Sequence, residues 1–209
     1  MSKKISTGIY SYDKHFCSSN IKKKLFRLMN DHERVGKLIK SGKRVLDFGC
    51  GDCSFFDSLK EKNLDVVGYD SDERYVEIGK NNGYKVLNSL KGLKDGFDFV
   101  IANQVVEHMN LDQLNEFFQK SFDLLKKDGI LIISTLNSKE LYVLRDIWDD
   151  PTHVRPYGVR ALSRAGEEFN LSLVKTIKHH MRVNPLKLFI NFIFGFSIYS
   201  GITLIFKKK

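Results

Sequence analysis

Cysteine is scarce: the 209 residues hold three, Cys17, Cys50 and Cys53. Three cysteines make no disulfide framework. A reducing cytoplasm is therefore the simplest compartment for the chain. Cys50 and Cys53 form a C-x-x-C, yet no second Cys or His pair lies near them in sequence. The spacing of a zinc site is missing, and no metal ligands are assigned. An apolar leader is missing as well. The N-terminus is polar and lysine-containing, without the apolar core of a secretory signal. No separate RNA-binding module stands out, although the net charge is +9. Such a charge permits attraction to phosphates or to an anionic membrane surface, but lysines also simply keep proteins soluble.

What is present suits one α/β domain with a sizeable core, spanning residues 1–209. Hydrophobic residues make up 42% and charged residues 28%, ordinary values for a globular chain. The organising stretch is Arg44 to Phe56, R-V-L-D-F-G-C-G-D-C-S-F-F. Val45 and Leu46 end an apolar run, Asp47 follows, and Gly49 and Gly51 stand two apart. Phe55, Phe56 and Leu59 then recur at helical spacing. Strand, glycine turn, helix is the reading. Glycine supplies unusual φ/ψ and lets a ligand lie against the backbone. A second apolar run, Leu64 to Tyr69, ends in Asp70, about twenty residues on, where an acid can hydrogen-bond a ribose diol.

V-L-D-F-G-C-G resembles the first motif of class I S-adenosylmethionine-dependent methyltransferases, and G-Y-D (Gly68 to Asp70) resembles their second. F-D-F-V-I-A-N-Q-V-V-E-H-M (Phe97 to Met109) is similar to their fourth-strand segment, and L-L-K-K-D-G-I-L-I-I-S-T-L-N (Leu124 to Asn137) to their fifth strand with its lead-in. The resemblance covers roughly residues 40–180. It implies a doubly wound, Rossmann-like, mostly parallel seven-stranded sheet, helices on both faces and an antiparallel last strand. It also implies S-adenosylmethionine as cofactor. Gly49, Cys50 and Gly51 would admit the cofactor's amino-acid part, and Asp47 would position the turn or reach the ammonium through water. Asp70 would take the ribose hydroxyls, with Asn88 and Asn103 lining the same cleft. Asn88 is either an acceptor for the adenine amine or an ordinary turn residue. The family often has a third glycine where this chain has Cys53.

Along the chain, residues 1–40 read as a lid or loose terminus, with Tyr10, Tyr12, His15 and Phe16, followed by an amphipathic helix from Asn20 to Lys40. Residues 41–136 are the cofactor core. Here the patterns predict helices over Ser54–Lys62 and Glu73–Asn82, strands over Lys85–Leu87, Phe97–Ala102 and Ile130–Thr135, and a capping box at Asn110–Gln113. That helix is expected to end at Lys126, Lys127 and Gly129. A helix over Val159–Phe169 and a strand over Leu171–Lys178 follow. His32 is expected to pack, half buried.

Residues 137–180 should choose the acceptor. W-D-D-P-T-H-V-R-P-Y, Trp148 to Tyr157, is the richest polar and aromatic cluster in the chain. Two prolines stiffen it, an imidazole titrates near neutrality, and a guanidinium grips carboxylate or phosphate. D-P-T-H-V-R-P-Y resembles a segment of family members that act in bacterial surface-polysaccharide and O-antigen synthesis. That resemblance implies a glycan or other small-molecule acceptor, a lipid-linked one included. His153 is the candidate base, oriented by Asp149 or Asp150. Arg155, Tyr157 and His108 are candidate acceptor contacts, His108 through a hydrogen bond that shapes the cleft floor. The alternative is a structural loop tied down by His153 and Arg155.

Residues 186–209 are strongly apolar, L-K-L-F-I-N-F-I-F-G-F-S-I-Y-S-G-I-T-L-I-F before three lysines. The length suits a membrane span. The fold, however, needs a last strand, and Gly201 to Lys208 has the composition for it. Residues 186–199 then remain as a segment at a membrane surface, over the cleft, or between subunits. The reading is a methyltransferase that transfers to oxygen on a small-molecule or glycan acceptor. The rivals are a quinone-biosynthesis-type O-methyltransferase, since S-T-L-N occurs there too, and a non-catalytic module of the same fold. A nucleic-acid enzyme ranks below them, because the chain lacks a proline–aromatic motif for base nitrogens. So does a dehydrogenase, because Ser54 occupies the third glycine position of G-x-G-x-x-G.

Overall fold

Seven strands form one sheet in the computed structural model, which describes residues 32–140, 143, 148–180, 189, 193 and 199–209. They are β1 (Arg44–Phe48), β2 (Asp65–Tyr69), β3 (Val86–Leu87), β4 (Phe97–Asn103), β5 (Leu125–Leu136), β6 (Leu171–His180) and β7 (Tyr199–Lys208). Their order across the sheet is β3-β2-β1-β4-β5-β7-β6. β1 pairs parallel with β2 on one side and β4 on the other, and β4 pairs parallel with β5. β7 runs antiparallel between β5 and β6. The expected doubly wound sheet with its antiparallel last strand is the one observed. Among the described residues, the helices of four or more residues are α1 (32–38), α2 (Ser54–Asp57), α3 (Glu73–Asn81), α4 (Leu111–Leu124) and α5 (Val159–Glu168).

The central strands bury both faces, and the alternation of side chains sorts them. Val45, Phe99, Ile101 and Ile132 join Val35 and Ile39 of the N-terminal helical region, with Phe55 and Leu59, on one face. Leu46, Val100, Ala102, Leu131 and Ile133 point the other way, to Phe117 and Phe118 of α4 and Leu162 of α5. Ile202, Leu204 and Phe206 of β7 join that second cluster. The apolar end of the chain is therefore core strand. No helix among the described residues is long and apolar enough to cross a membrane. The expectations for residues 1–31 and for most of 186–198 lie outside the described residues. Phe189 and Ile193 are exposed.

Two boundaries differ from the sequence reading by more than two residues. The helix expected over Ser54–Lys62 stops at Asp57 and resumes as a 3₁₀ turn, Lys60–Lys62. Ser58 donates both its N–H (3.0 Å) and its hydroxyl (2.7 Å) to the Phe55 carbonyl, which tightens the turn there. α4 ends at Leu124, before Lys126, and runs straight into β5. Leu125 is buried and pairs with Phe97, while Ile130 pairs with Phe99. The exposed residues between them bulge outward, with Asp128 at φ 62 and Lys126 reaching the Asp98 carboxylate at 3.2 Å. Burial of one leucine outweighs the helix-ending signal. The capping box stands as expected: Asn110 accepts from Gln113 N and Gln113 accepts from Asn110 N, each at 2.9 Å.

Close packing of α5 on β7 gives a test of the core. A Cβ at Gly166 would lie 2.6 Å from Phe206 Cε1, and Phe206 is fully buried. Gly166→Ala should lower stability by about 1–3 kcal/mol, read as a reduced urea midpoint at unchanged slope.

Candidate active site

The crevice lies at the carboxyl ends of the strands, where the order reverses at β1. The turn after β1 folds back on β2: Gly49 N and Cys50 N both donate to the Tyr69 carbonyl, at 2.7 and 3.0 Å. Gly49 and Gly51 have φ of 76° and 52°, values that favour glycine. The two glycines do different work. A Cβ at Gly49 would come within 2.7 Å of Val105 Cγ2, so this position admits the segment after β4. A Cβ at Gly51 would meet nothing within 4 Å, so the space above it is open to a ligand. Cys53 has a left-handed backbone, at φ 63°. An L-residue there carries strain of order 1 kcal/mol.

Gly51 N donates to Asp70 Oδ2 and Asp72 N to Asp70 Oδ1, both at 2.9 Å. A carboxylate offers about four lone-pair sites, so Asp70 is held rigid with capacity left for a diol. Asp47 is buried, and that burial, with the Asp70 charge, pushes its carboxyl up from 3.8 to about 7. Asn103, at the end of β4, has a buried Oδ1 without a hydrogen-bond partner. Asn88 is exposed just past β3. Cys50 departs from its expected place. Its thiol points away from the crevice, into a cluster with Cys53, Phe56, Val76 and Val86, and its N–H is spent on Tyr69. The two thiols are free, with sulfurs 3.9 Å apart.

The acceptor side is built from two segments bonded together. The Glu107 carbonyl accepts from Val154 N (2.9 Å) and Arg155 N (3.2 Å). His108 Nδ1 meets the Thr152 carbonyl at 3.0 Å, and His153 N donates to the Asp150 carbonyl at 3.1 Å. The His108 and His153 rings lie 4.7 Å apart, tilted by 36°. Asp150 is engaged by Thr152, whose N–H and hydroxyl reach Oδ1 at 2.9 and 2.6 Å. Partial burial works against its charge, yet those bonds and the nearby His153 and His108 rings hold its carboxyl below the usual range. Asp149 and Arg155 are exposed, and the Arg155 guanidinium lies 5.3 Å from the Tyr157 ring centroid. Tyr157 differs from its expected role. It is 2% exposed and its hydroxyl donates to the Met109 carbonyl at 3.0 Å, so it anchors the loop in the core and offers nothing to an acceptor.

Sequence reasoning passed over Glu107. It is 2% exposed, and its Oε2 accepts the Thr135 hydroxyl at 3.0 Å. Burial pushes its carboxyl up. The available signal was an acid inside the otherwise apolar V-V-E-H-M.

A model of the methyltransferase domain matches residues 20–176 of this sequence. The chain belongs to that family. It is similar to a structure of a SAM-dependent methyltransferase from Archaeoglobus fulgidus, with a TM-score of 0.75, 24% identity, and 94% of this chain and 100% of that chain covered. Among curated proteins it is 35% identical over 104 residues to the ubiquinone biosynthesis O-methyltransferase of Pelagibacter ubique, covering 45% of this chain and 42% of that protein. It is 30% identical over 145 residues to the mitochondrial ubiquinone biosynthesis O-methyltransferase of Rattus norvegicus, covering 62% and 41%. The chain thus spans about two-fifths of the length of these relatives. S-adenosylmethionine fits the crevice of this family member: open space above Gly51, an unpaired amide oxygen on Asn103, and two carboxylates, Asp47 and Asp70, at the turn.

Two measurements follow from this geometry. A cationic ligand favours the ionised form of Asp47, so S-adenosylmethionine should bind more tightly as pH rises toward about 7. For the fold alone the sign is opposite. The folded carboxyl holds its proton more tightly than the unfolded one, so its contribution to stability falls between the usual carboxylate range and about 7. Calorimetric titrations across pH should show the first trend, and Asp47→Asn should flatten it. Asp70→Ala should weaken the cofactor at least tenfold; unchanged affinity removes Asp70 from the ribose.

Proposed function

We propose that this chain transfers the methyl group of S-adenosylmethionine to a hydroxyl oxygen of a small-molecule acceptor. The observation that carries the reading is the continuity of one lip. The glycine turn with Asp47 and Asp70 abuts Val105 through Gly49, and Glu107, His108 and His153 follow directly beside it. One side suits the cofactor and the other suits an acceptor with a proton to lose.

The sulfonium already activates the methyl, so the protein's main task is alignment. Asp70 fixes the ribose, and Asp47 draws the cationic end into the turn. On the acceptor side His153 assists removal of the hydroxyl proton, worth about 10²–10⁴ in rate for such groups. Arg155 is exposed at the rim, placed to meet an anionic part of the acceptor.

A phenolic acceptor of the quinone-precursor type is the first acceptor class, supported by the names of the two curated relatives. A sugar hydroxyl is the second, supported by the resemblance of D-P-T-H-V-R-P-Y to polysaccharide enzymes. Calorimetry with S-adenosylmethionine and, separately, NAD tests the cofactor: saturable binding of the first alone is expected, and binding of neither overturns the reading. Methyl-transfer assays with catechol-type polyprenyl phenols and with nucleotide- or lipid-linked sugars then separate the acceptors. His153→Ala should keep the cofactor affinity and slow transfer at least a hundredfold; full turnover removes His153 from the chemistry.

A further inference from the structure

The C-x-x-C of the glycine turn is a feature that methyl transfer leaves without a task. Cys50 and Cys53 are both free, and their sulfurs lie 3.9 Å apart. We propose that these two cysteines form a reversible disulfide, with a small-molecule disulfide such as oxidised glutathione as the oxidant, and that the closed bond weakens the hold of the turn on S-adenosylmethionine.

The backbone has already brought the pair together. Cys53 N donates to the Cys50 carbonyl at 2.9 Å, which closes a four-residue turn. Such a turn keeps its outer Cα atoms within about 7 Å, near the reach of a disulfide. Both sulfurs sit in space made by missing side chains. A Cβ at Gly68 of β2 would lie 2.8 Å from Cys50 Sγ, and one at Gly79 of α3 would lie 2.9 Å from Cys53 Sγ. Packing alone does not account for the second cysteine. Its backbone stands at φ 63°, where glycine is free of strain and a residue with a β-carbon is not.

Cys53 is the sulfur that reacts first. Its contact with Cys50 holds its thiol below the usual value, against burial and the charges of Asp47, Asp52 and Asp70. The same contact, with burial, pushes the Cys50 thiol up. The Cys53 thiolate attacks one sulfur of oxidised glutathione, and a glutathione thiolate leaves with the bonding electrons. Cys50 then loses its proton and attacks Cys53 Sγ, and the second glutathione thiolate leaves. Two electrons pass from the protein to the oxidant, and the two thiol protons end on two glutathione thiols. Cys50 is 7% exposed and Cys53 1%, so the exchange waits on opening of α2, a single turn with no side-chain cap bond at its start.

The effect on the cofactor follows from what lies between the sulfurs. They must close from 3.9 Å to about 2.05 Å. The residues spanned are Gly51 and Asp52. Gly51 N holds Asp70 Oδ2 at 2.9 Å, and Cys50 N holds the Tyr69 carbonyl at 3.0 Å. Drawing the ends of so short a loop together strains both bonds and turns Asp70 away from a diol. The coupling runs both ways, so a cofactor seated on Gly51 favours the dithiol. That coupling rests on the cofactor lying against Gly51; the disulfide itself does not.

Full-length protein should be equilibrated in mixtures of reduced and oxidised glutathione, trapped with acid and mapped by peptide mass. The expected product is one bond between Cys50 and Cys53, reversed by dithiothreitol. Calorimetry should then show S-adenosylmethionine binding at least tenfold more weakly to the oxidised form. Saturating cofactor should raise the midpoint potential of the pair by about 30 mV for each tenfold. Cys53→Ser should abolish the response of cofactor affinity to oxidised glutathione; if that variant does not fold, the measurements on the unaltered chain decide. A bond to Cys17, glutathione adducts alone, or thiols that stay reduced until the protein unfolds overturn the pair. A mapped disulfide with equal cofactor affinity in both forms overturns the coupling. Cofactor binding to neither form, with the disulfide mapped, overturns the placement of the cofactor on Gly51 and the coupling with it, while the dithiol chemistry stands.

Discussion

The pairing of β1 with β2 on one side and β4 on the other is the constraint from which the rest follows. Strands added outward from a central strand must send their crossover helices to opposite faces of the sheet. Helical segments on both faces then bury the central strands completely, and Val45 and Leu46 go to separate cores. The helices diverge where the order reverses, and the carboxyl ends of β1 and β4 are left uncovered. Polar groups of these strands stand toward their ends, Arg44 and Asp98 at the amino end and the others at the open one. Asp47, Asp70, Asn103 and Glu107 all stand at that edge.

Burial at such an edge costs energy, and two carboxylates carry the cost. Asp47 is raised by its own burial and by the charge of Asp70. Glu107 is raised by burial and satisfied at one oxygen only. A core optimised for stability alone would replace both with apolar or amide side chains. Buried, perturbed carboxylates of this kind cluster where a site needs them and not where a core does. The strained backbone of Cys53 belongs to the same account, since a left-handed residue is held in the turn that faces the cofactor.

Much of this was legible in the sequence for a simple reason. Strands buried on both faces are written as unbroken apolar runs, and the glycine turn demands its residues by backbone geometry. Phe97–Ala102, the Asn110–Gln113 capping box and the Gly201–Lys208 strand are all local signals, and they were read as observed. What was misread depends on contacts made at a distance. Leu125 leaves its helix because Phe97 is there to pair with it. Tyr157 looked like a contact for the acceptor, but its hydroxyl is taken by Met109, which is remote in sequence. Glu107 was passed over because its partners, Thr135 and the Val154–Arg155 backbone, are brought to it only by the sheet. An isolated acid says nothing of its burial until the fold closes over it.

The acceptor loop shows why a shared fold need not mean a shared acceptor. Residues 152–157 are fixed chiefly by backbone groups: Thr152 O to His108, Val154 N and Arg155 N to Glu107. Tyr157 adds one buried anchor at the loop's end. The exposed side chains of Val154 and Arg155 bear little of that load. They can change without disturbing the path of the chain. The cofactor side has no such freedom, because Gly49 is wedged against Val105 and Gly51 bonds to Asp70. Divergence among relatives should therefore collect at the rim of this loop and spare the turn, so that one chemistry is kept and the acceptor is what varies.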